Sequence, residues 1–395
     1  MSKSYDVAVI GGGAIGTAVA FHLTRLGAGR VALFERQQIA GGTTAQSSGL
    51  LRAHYSVPAN MALAKASLEM FEGFQALIGD EEAAAGFIRC GYMIVAPEGD
   101  SSKAVRGAIA HQAGIGIEAR LIDKAEALEL HPWLNLDDID AIGYEPGAGF
   151  ADPYLTASWF ARAAKRAGAD IRQAVTVEGL LMDGNRVTGL KTSDGDVQAG
   201  AVVSAMNVWS HDLARWTGVE LPMSITRHDV LAFEVDEPYT PRLPILKDLA
   251  SPSLLYTRST SGSQILVGTG DEGVETDSPE TGDADIPLDW IVEQGAALAH
   301  RMPKFEEARF VTSWSGLYDT TPDWNPVLGP LPGIEGLTAA FGLSGHGFKL
   351  SPMIGRLLAQ AALGLPTDQP LEPYRFTRFA EGQPLRGTYG AGAVS

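Results

Sequence analysis

The stretch 6–10 (DVAVI) is apolar from Val7 onward and stops at Gly11, the pattern of a strand buried on both faces. From Ile15 the period changes: Ile15, Val19, Leu23 and Leu26 recur at helical spacing, and Gly27-Ala-Gly29 closes the run before a second apolar stretch at 31–34. The pattern predicts a strand–helix–strand unit. Further along, 170–175 and 179–190 read as strands turned at Asp183-Gly184-Asn185, and 201–205 as another buried strand. Asp152 and Pro153 suit the N-cap and first residue of a helix, and a last helical run sets in by Ile354. Strand patterns at 91–96, 230–235 and 264–269, with helical patterns at 60–77, 101–113 and 286–300, predict a second group of elements.

The junction between the first strand and its helix is Gly11-Gly12-Gly13-Ala14-Ile15-Gly16, which fits G-x-G-x-x-G. In that setting Gly11 allows the tight turn, Gly13 lets a pyrophosphate approach bare backbone, and Gly16 lets helix and strand pack closely. Ala14 and Ile15 open the helix, whose N-terminal N–H groups favour a phosphate. Glu35 ends the second strand, where a carboxylate accepts hydrogen bonds from ribose hydroxyls. An acid there disfavours a 2′-phosphate, which excludes NADP and leaves NAD or FAD. The next stretch, 39–49 (IAGGTTAQSSG), is small and hydroxyl-bearing rather than the third unit of an NAD domain. Such residues let a large flat ring lie against backbone.

Composition narrows the partners. A chain of 395 residues predicts two or three domains, and 45% apolar with 19% charged residues describes a globular rather than a disordered chain. Its 46 glycines form no collagen-like period and point instead to close backbone approaches. Thirty basic against 47 acidic residues leave a net charge of −17, which opposes binding to nucleic acid or an anionic membrane surface. No stretch approaches the roughly 18 apolar residues of a membrane span, and no signal-peptide core precedes the first strand, so the expected location is the cytoplasm. Cys90, the one cysteine, allows no internal disulfide or thiolate cluster and reads as a small buried apolar residue.

With Arg36, the 39–49 stretch resembles the D-amino-acid oxidase superfamily of FAD-dependent oxidoreductases, close to its sarcosine oxidase and glycine oxidase group. The resemblance covers most of the chain. Gly149-Phe-Ala-Asp152-Pro153-Tyr154 is similar to the segment that opens the family's second long helix, and Asn207-Val-Trp209-Ser210 stands where the family usually has Ala-Gly-x-Trp-Ser. Gly342-Leu-Ser344-Gly345-His346-Gly347-Phe348-Lys349 resembles the segment that opens a helix beside the flavin, its N–H groups facing an anionic ring edge.

The resemblance implies an α/β fold: a discontinuous Rossmann-type FAD-binding domain over 1–80, 145–220 and 322–380, and a second α+β domain on a mixed sheet over 81–144 and 221–321. Residues 381–395, rich in glycine, form a poorly ordered tail by composition. Further residues implied at the FAD are Thr43, Thr44, Ser47, Ser48, Gly49 and Leu50 along the pyrophosphate and flavin, Val175 and Val177 at the adenine, and the 342–349 segment at the ring. Binding is expected to be non-covalent, because relatives tether the flavin through a histidine near Gln46 or a cysteine near Gly316 and this chain has neither.

Arg52 coincides with the arginine that holds the substrate carboxylate in relatives, and Lys349 with the second cation of that clamp. Tyr55 and Tyr256 are expected at the substrate, with Arg258 and Trp314 on the opposite wall; His346 is expected to act with Arg52 and Lys349 in catalysis, and His54 is a weaker candidate. Two departures stand out. Gly49 replaces the family's second arginine, and Val267 stands at or near the lysine that helps activate oxygen in the family.

The implied function is FAD-dependent oxidation of a secondary or primary amino acid (an N-methyl amino acid, glycine or an imino acid) by hydride transfer to flavin N5, the imine then being hydrolysed. The missing lysine favours a dehydrogenase that passes electrons to a quinone or an electron-transfer protein over an oxidase that uses oxygen. Two alternatives stay open. One is a 2-hydroxy acid dehydrogenase with His346 or His54 as base, and the other a flavin-binding subunit of a multi-protein dehydrogenase. Oligomeric state is open too.

Overall fold

Strand Ser4–Ile10 runs parallel to Val31–Glu35 on one side and Val197–Ser204 on the other, at the centre of the first of two large sheets. The computed structural model describes residues 3–236, 242–260, 262–279 and 285–389. Asp170–Gln173 extends this sheet beyond Val31–Glu35, and Leu337–Phe341 extends it in parallel beyond Val197–Ser204. The hairpin Val177–Asp183 and Arg186–Thr192 joins antiparallel at the start of Val197–Ser204. The carboxyl ends of the parallel strands, at Ile10, Glu35, Ser204 and Phe341, therefore share one edge, where open α/β sheets bind their ligands.

Three helices cover one face of this sheet: Ala14–Arg25, Pro153–Arg166 and Gly347–Ala362. The first and last pass so closely that a Cβ on Gly355 would stand 2.5 Å from the Cβ of Ala18. Asp152 caps its helix as expected, its Oδ1 accepting from the Leu155 N–H at 2.9 Å, a contact worth about 1 kcal/mol.

The second sheet is mixed, with nine strands among the described residues. Ser224–Glu234 lies antiparallel between Arg309–Thr320 and Gln264–Gly268, and the sheet continues through Tyr256–Ser259, Ile245–Asp248, Tyr92–Ala96 and Ala141–Glu145. One face packs Met93, Leu231, Leu246 and Val267 against Leu298 of helix Leu288–Arg301. By alternation along the strand, Lys247 takes the face opposite Leu246. Leu50–Leu51, Gly149–Phe150 and Ile88–Arg89 form a small sheet of their own that packs through Phe150 against Tyr92 and Ile94 of the second sheet. No helix among the described residues is long and apolar enough to cross a membrane.

Several expectations need correction. The 60–77 pattern is two helices, Pro58–Glu72 and Phe74–Ile78, broken at Gly73. Cys90 is half-buried rather than buried, although its surroundings still push the thiol up to about 11. The expected loose tail is packed as far as 389: the Leu385 N–H donates to Asp323 at 2.8 Å, and the Tyr389 hydroxyl lies 2.7 Å from His54 Nε2. A carboxylate and an aromatic ring outweigh the glycine content there. Residues 390–395 lie outside the described residues.

Candidate functional site

One elongated cavity runs from the shared strand edge of the first sheet to the second sheet. At its first end the glycine motif takes the shape its spacing predicts. A Cβ on Gly16 would stand 1.9 Å from the Gly11 carbonyl oxygen, so no side chain fits where helix and strand meet. Gly13 faces the Thr44 hydroxyl, which accepts from the Ala14 N–H at 3.0 Å. Glu35 is fixed by the Gly12 N–H at 2.7 Å and the Gln37 N–H at 2.8 Å, leaving further lone pairs toward the cavity. Arg36 lies 4.1 Å over the Trp209 ring, and Val175 and Val177 complete this end. A cradle of bare backbone, a helix N-terminus and a carboxylate at the strand end suits a dinucleotide such as FAD.

The 43–50 segment forms the middle wall, with Thr43, Thr44, Ser47, Ser48 and Leu50 all on the cavity. Two expected wall residues instead hold this segment from behind. Trp314 donates from Nε1 to the Gln46 carbonyl at 3.0 Å, and Arg258 donates to the Ser48 carbonyl at 2.8 Å with its guanidinium 3.9 Å over Phe150. Gly49 is buried at φ 74°, and a Cβ there would lie 2.2 Å from the Ala151 carbonyl oxygen. The arginine expected by resemblance is thus impossible on this backbone. Gln46 and Gly316, where relatives carry tethering residues, are neighbours: a Cβ on Gly316 would lie 3.7 Å from that of Gln46.

The 342–349 segment closes the far wall, and a residue the sequence did not single out organises it. Asp319, fully buried, accepts from the N–H groups of Gly342 (2.7 Å) and Leu343 (3.0 Å) and from the Asn207 amide (2.7 Å). Burial raises its carboxyl to about 7 against the pull of those donors. Gly345, Gly347, Phe348 and Lys349 then reach the cavity, whereas Gly342 and Ser344 form the turn behind it.

The cations Arg52, Lys349 and Lys247 line the same cavity, with Tyr92, Tyr256, His228 and Tyr318. Arg52 is nearly buried, its guanidinium 4.4 Å from the Tyr55 ring centre. Lys349 donates to the Gly345 carbonyl at 3.1 Å; burial, then the charges of Arg52 and Lys247, hold its ammonium well below the usual lysine range. Lys247 was not foreseen. Its one signal in the sequence is the charged pair Lys247-Asp248 inside the otherwise apolar stretch 243–249. Val267, expected at or near the position of the family's lysine, packs into the core on the other face, while Leu266 clusters with the cavity residue Val230. Lys247 is a cation of the cavity that the expectation of a poor reaction with oxygen did not count.

The histidines fall differently from expectation. His346 and Tyr55 do not line the cavity; they pair behind it, Tyr55 hydroxyl to His346 Nδ1 at 3.2 Å, and burial keeps the imidazole well below its ordinary pKa. His54 is fully buried between Gln112 (2.6 Å) and Tyr389 (2.7 Å). His228 does reach the cavity, stacked 4.0 Å on Tyr318, but burial and then the charge of Lys247 push it down to about 3. Among the described residues no cluster of His, Cys, Asp and Glu could hold a metal ion.

Comparison with known proteins agrees with this geometry. Sarcosine oxidase subunit beta of Arthrobacter sp is 30% identical, with 100% of this chain and 95% of the relative aligned. Glycine oxidase of Geobacillus kaustophilus is 28% identical over 96% of this chain and 98% of its own. Among solved structures, L-proline dehydrogenase from P. horikoshii superposes with a TM-score of 0.89 at 27% identity, covering 98% of this chain and 100% of that one. Residues 6–361 match the family model described as FAD dependent oxidoreductase. A match of that extent, on a fold with this cradle, makes the chain a member of the DAO family of FAD-dependent oxidoreductases and a flavoprotein.

Proposed function

We propose that this chain oxidises an amino acid, secondary or primary, whose carboxylate is held by Arg52 and Lys349. The observation that carries the reading is that these two cations line the cavity whose other end is the glycine cradle. FAD, held there by the backbone around Gly11 and Gly13, by Glu35 and by the 43–50 and 345–349 walls, supplies the two-electron acceptor for the substrate C–H bond.

The chain's own part is orientation. The planar fork of Arg52 takes a carboxylate bidentately, Lys349 adds a point charge, and the α-carbon is left in one pose. Because Lys349 is held below its ordinary pKa by burial, an incoming carboxylate also favours its protonation. A neutral amine needs no strong base, and the lining carboxylates are committed elsewhere, Glu35 at the cradle, Asp212 to Arg215 at 2.8 Å and Asp319 to backbone N–H groups. A hydroxy acid does need a base. His346 and His54 do not line the cavity, and His228 at about 3 is a weak one. These facts favour the amine.

Truncating one charged partner of a desolvated pair costs about 2 to 5 kcal/mol. Arg52→Ala or Lys349→Ala should therefore raise the dissociation constant of a carboxylate inhibitor at least about thirtyfold while the protein stays yellow. Two variants that bind the inhibitor like the parent contradict the proposal.

A second reading, as one subunit of a larger dehydrogenase, is favoured by Leu288 and Val292, adjacent on one helix face and 74% and 63% exposed. Co-purification with another chain and inactivity alone support it; full turnover by the isolated chain excludes it.

A further inference from the structure

We infer that the amino acid taken by this cavity carries a second anionic group and that Lys247 receives it; the inference rests on the amino-acid reading above. Lys247 lies on strand Ile245–Asp248, paired with Ile94 on one side and Tyr256 on the other, and is 4% exposed. Its Nζ donates to the Leu254 carbonyl and sits 5.9 Å from the Tyr256 ring centre. It also fills the space above Gly270, where a Cβ would stand 2.0 Å from it. That single hydrogen bond uses one of the three donors of an ammonium.

No acid forms an ion pair with this charge, although the fields of Asp271 and then Asp248 favour it. Asp248 is engaged by Arg301 at 2.8 Å and by the Ala250 N–H at 2.9 Å, and Asp271 accepts from the Thr269 hydroxyl at 2.9 Å. Among the described residues neither Lys247 nor Lys349 has a carboxylate within 4.0 Å. Arg52 acts electrostatically on both lysines, and Lys247 acts on Lys349, so the three cations feel one another across the cavity.

A single amino-acid carboxylate brings one negative charge to that trio; Asp271 near Lys247 and Glu145 near Arg52 offset part of the remaining repulsion, and in a site of low dielectric the rest still counts. Relief comes either by loss of a proton or by arrival of a second anion. Burial, then Arg52, push Lys247 down to about 7, so the ammonium is poised to form when an anion supplies the missing partner. With Arg52 and Lys349 assigned to the α-carboxylate, Lys247 is the surplus cation. A second carboxylate, on the side chain or on the nitrogen substituent, matches it.

The test measures dissociation constants from perturbation of the flavin spectrum for matched pairs: N-methylglycine against iminodiacetate, alanine against aspartate and glutamate, acetate against malonate and succinate. The result expected is a diacid bound at least about tenfold more tightly than its monoacid in one or more pairs. Lys247→Met and Lys247→Gln should bring that ratio to within about twofold. A ratio near one in the parent, or one that survives both substitutions, overturns the inference; should neither variant fold, the parent ratio decides. The two proposals fail separately. Monoacids that bleach the flavin while diacids bind no better remove the role of Lys247 and leave the amino-acid reading. Diacids that bind tightly while no amine bleaches the flavin do the reverse.

Discussion

Glu145 is the least comfortable side chain beside the cavity. It is 2% exposed, accepts from the Ala53 N–H at 2.8 Å and lies within the field of Arg52, yet burial still lifts its carboxyl to about 7. A folded state that holds a proton the unfolded chain has released loses stability as pH rises between the two pKa values, here from about 4.5 to about 7. Above that window the whole penalty remains. Glu145→Gln carries no such penalty, so its stability relative to the parent should improve between pH 5 and pH 8, by up to about 3 kcal/mol. Urea unfolding at the two pH values checks the sign, and a difference that does not change with pH contradicts it.

At this scale the sequence was legible where residues act locally. Gly11, Gly16 and Glu35 announce themselves by spacing, and Asp152 by its place before Pro153. Lys247, Glu145 and Asp319 gain their meaning from partners far along the chain, and no local spacing reports those. Gly49 was legible as a departure, but its cause, the Ala151 carbonyl 2.2 Å from any Cβ, was not.

The 342–349 turn shows what one buried carboxylate does for an element. Asp319→Ala would leave the N–H groups of Gly342 and Leu343 and the Asn207 amide without their acceptor, each at a cost of about 1 to 3 kcal/mol. The expected outcome is a loss of at least about 3 kcal/mol in unfolding free energy and release of flavin on gel filtration; a variant with parental stability and colour contradicts the clasp.

Helices and the first sheet were readable from period and caps. The second sheet was harder. Strand Arg309–Thr320 begins with four exposed residues, Phe310 and Val311 among them, so its apolar positions do not report which face is buried. In Gln264–Gly268 a one-residue change of register exchanges the two faces, so the sequence does not report that Val267 packs into the core while Leu266 clusters with Val230 on the other face.

At the scale of the whole molecule, two sheets built from interleaved segments leave one cavity with a glycine cradle at one end and cations at the other. Gln46 and Gly316 meet at its wall without a cysteine or histidine side chain at either position, so precipitation with acid should send all the yellow colour into the supernatant. Colour retained in the pellet would show a covalent tether. The tail was misread at this scale because its composition says nothing of Asp323 or His54, the distant groups that anchor it.

The most direct test of the account is anaerobic mixing of the purified flavoprotein with a panel of amino acids and 2-hydroxy acids while the flavin absorption is followed. Bleaching by one or more amino acids is expected, with the matching keto acid or aldehyde formed, and no bleaching by the hydroxy acids. Bleaching by hydroxy acids alone would contradict it.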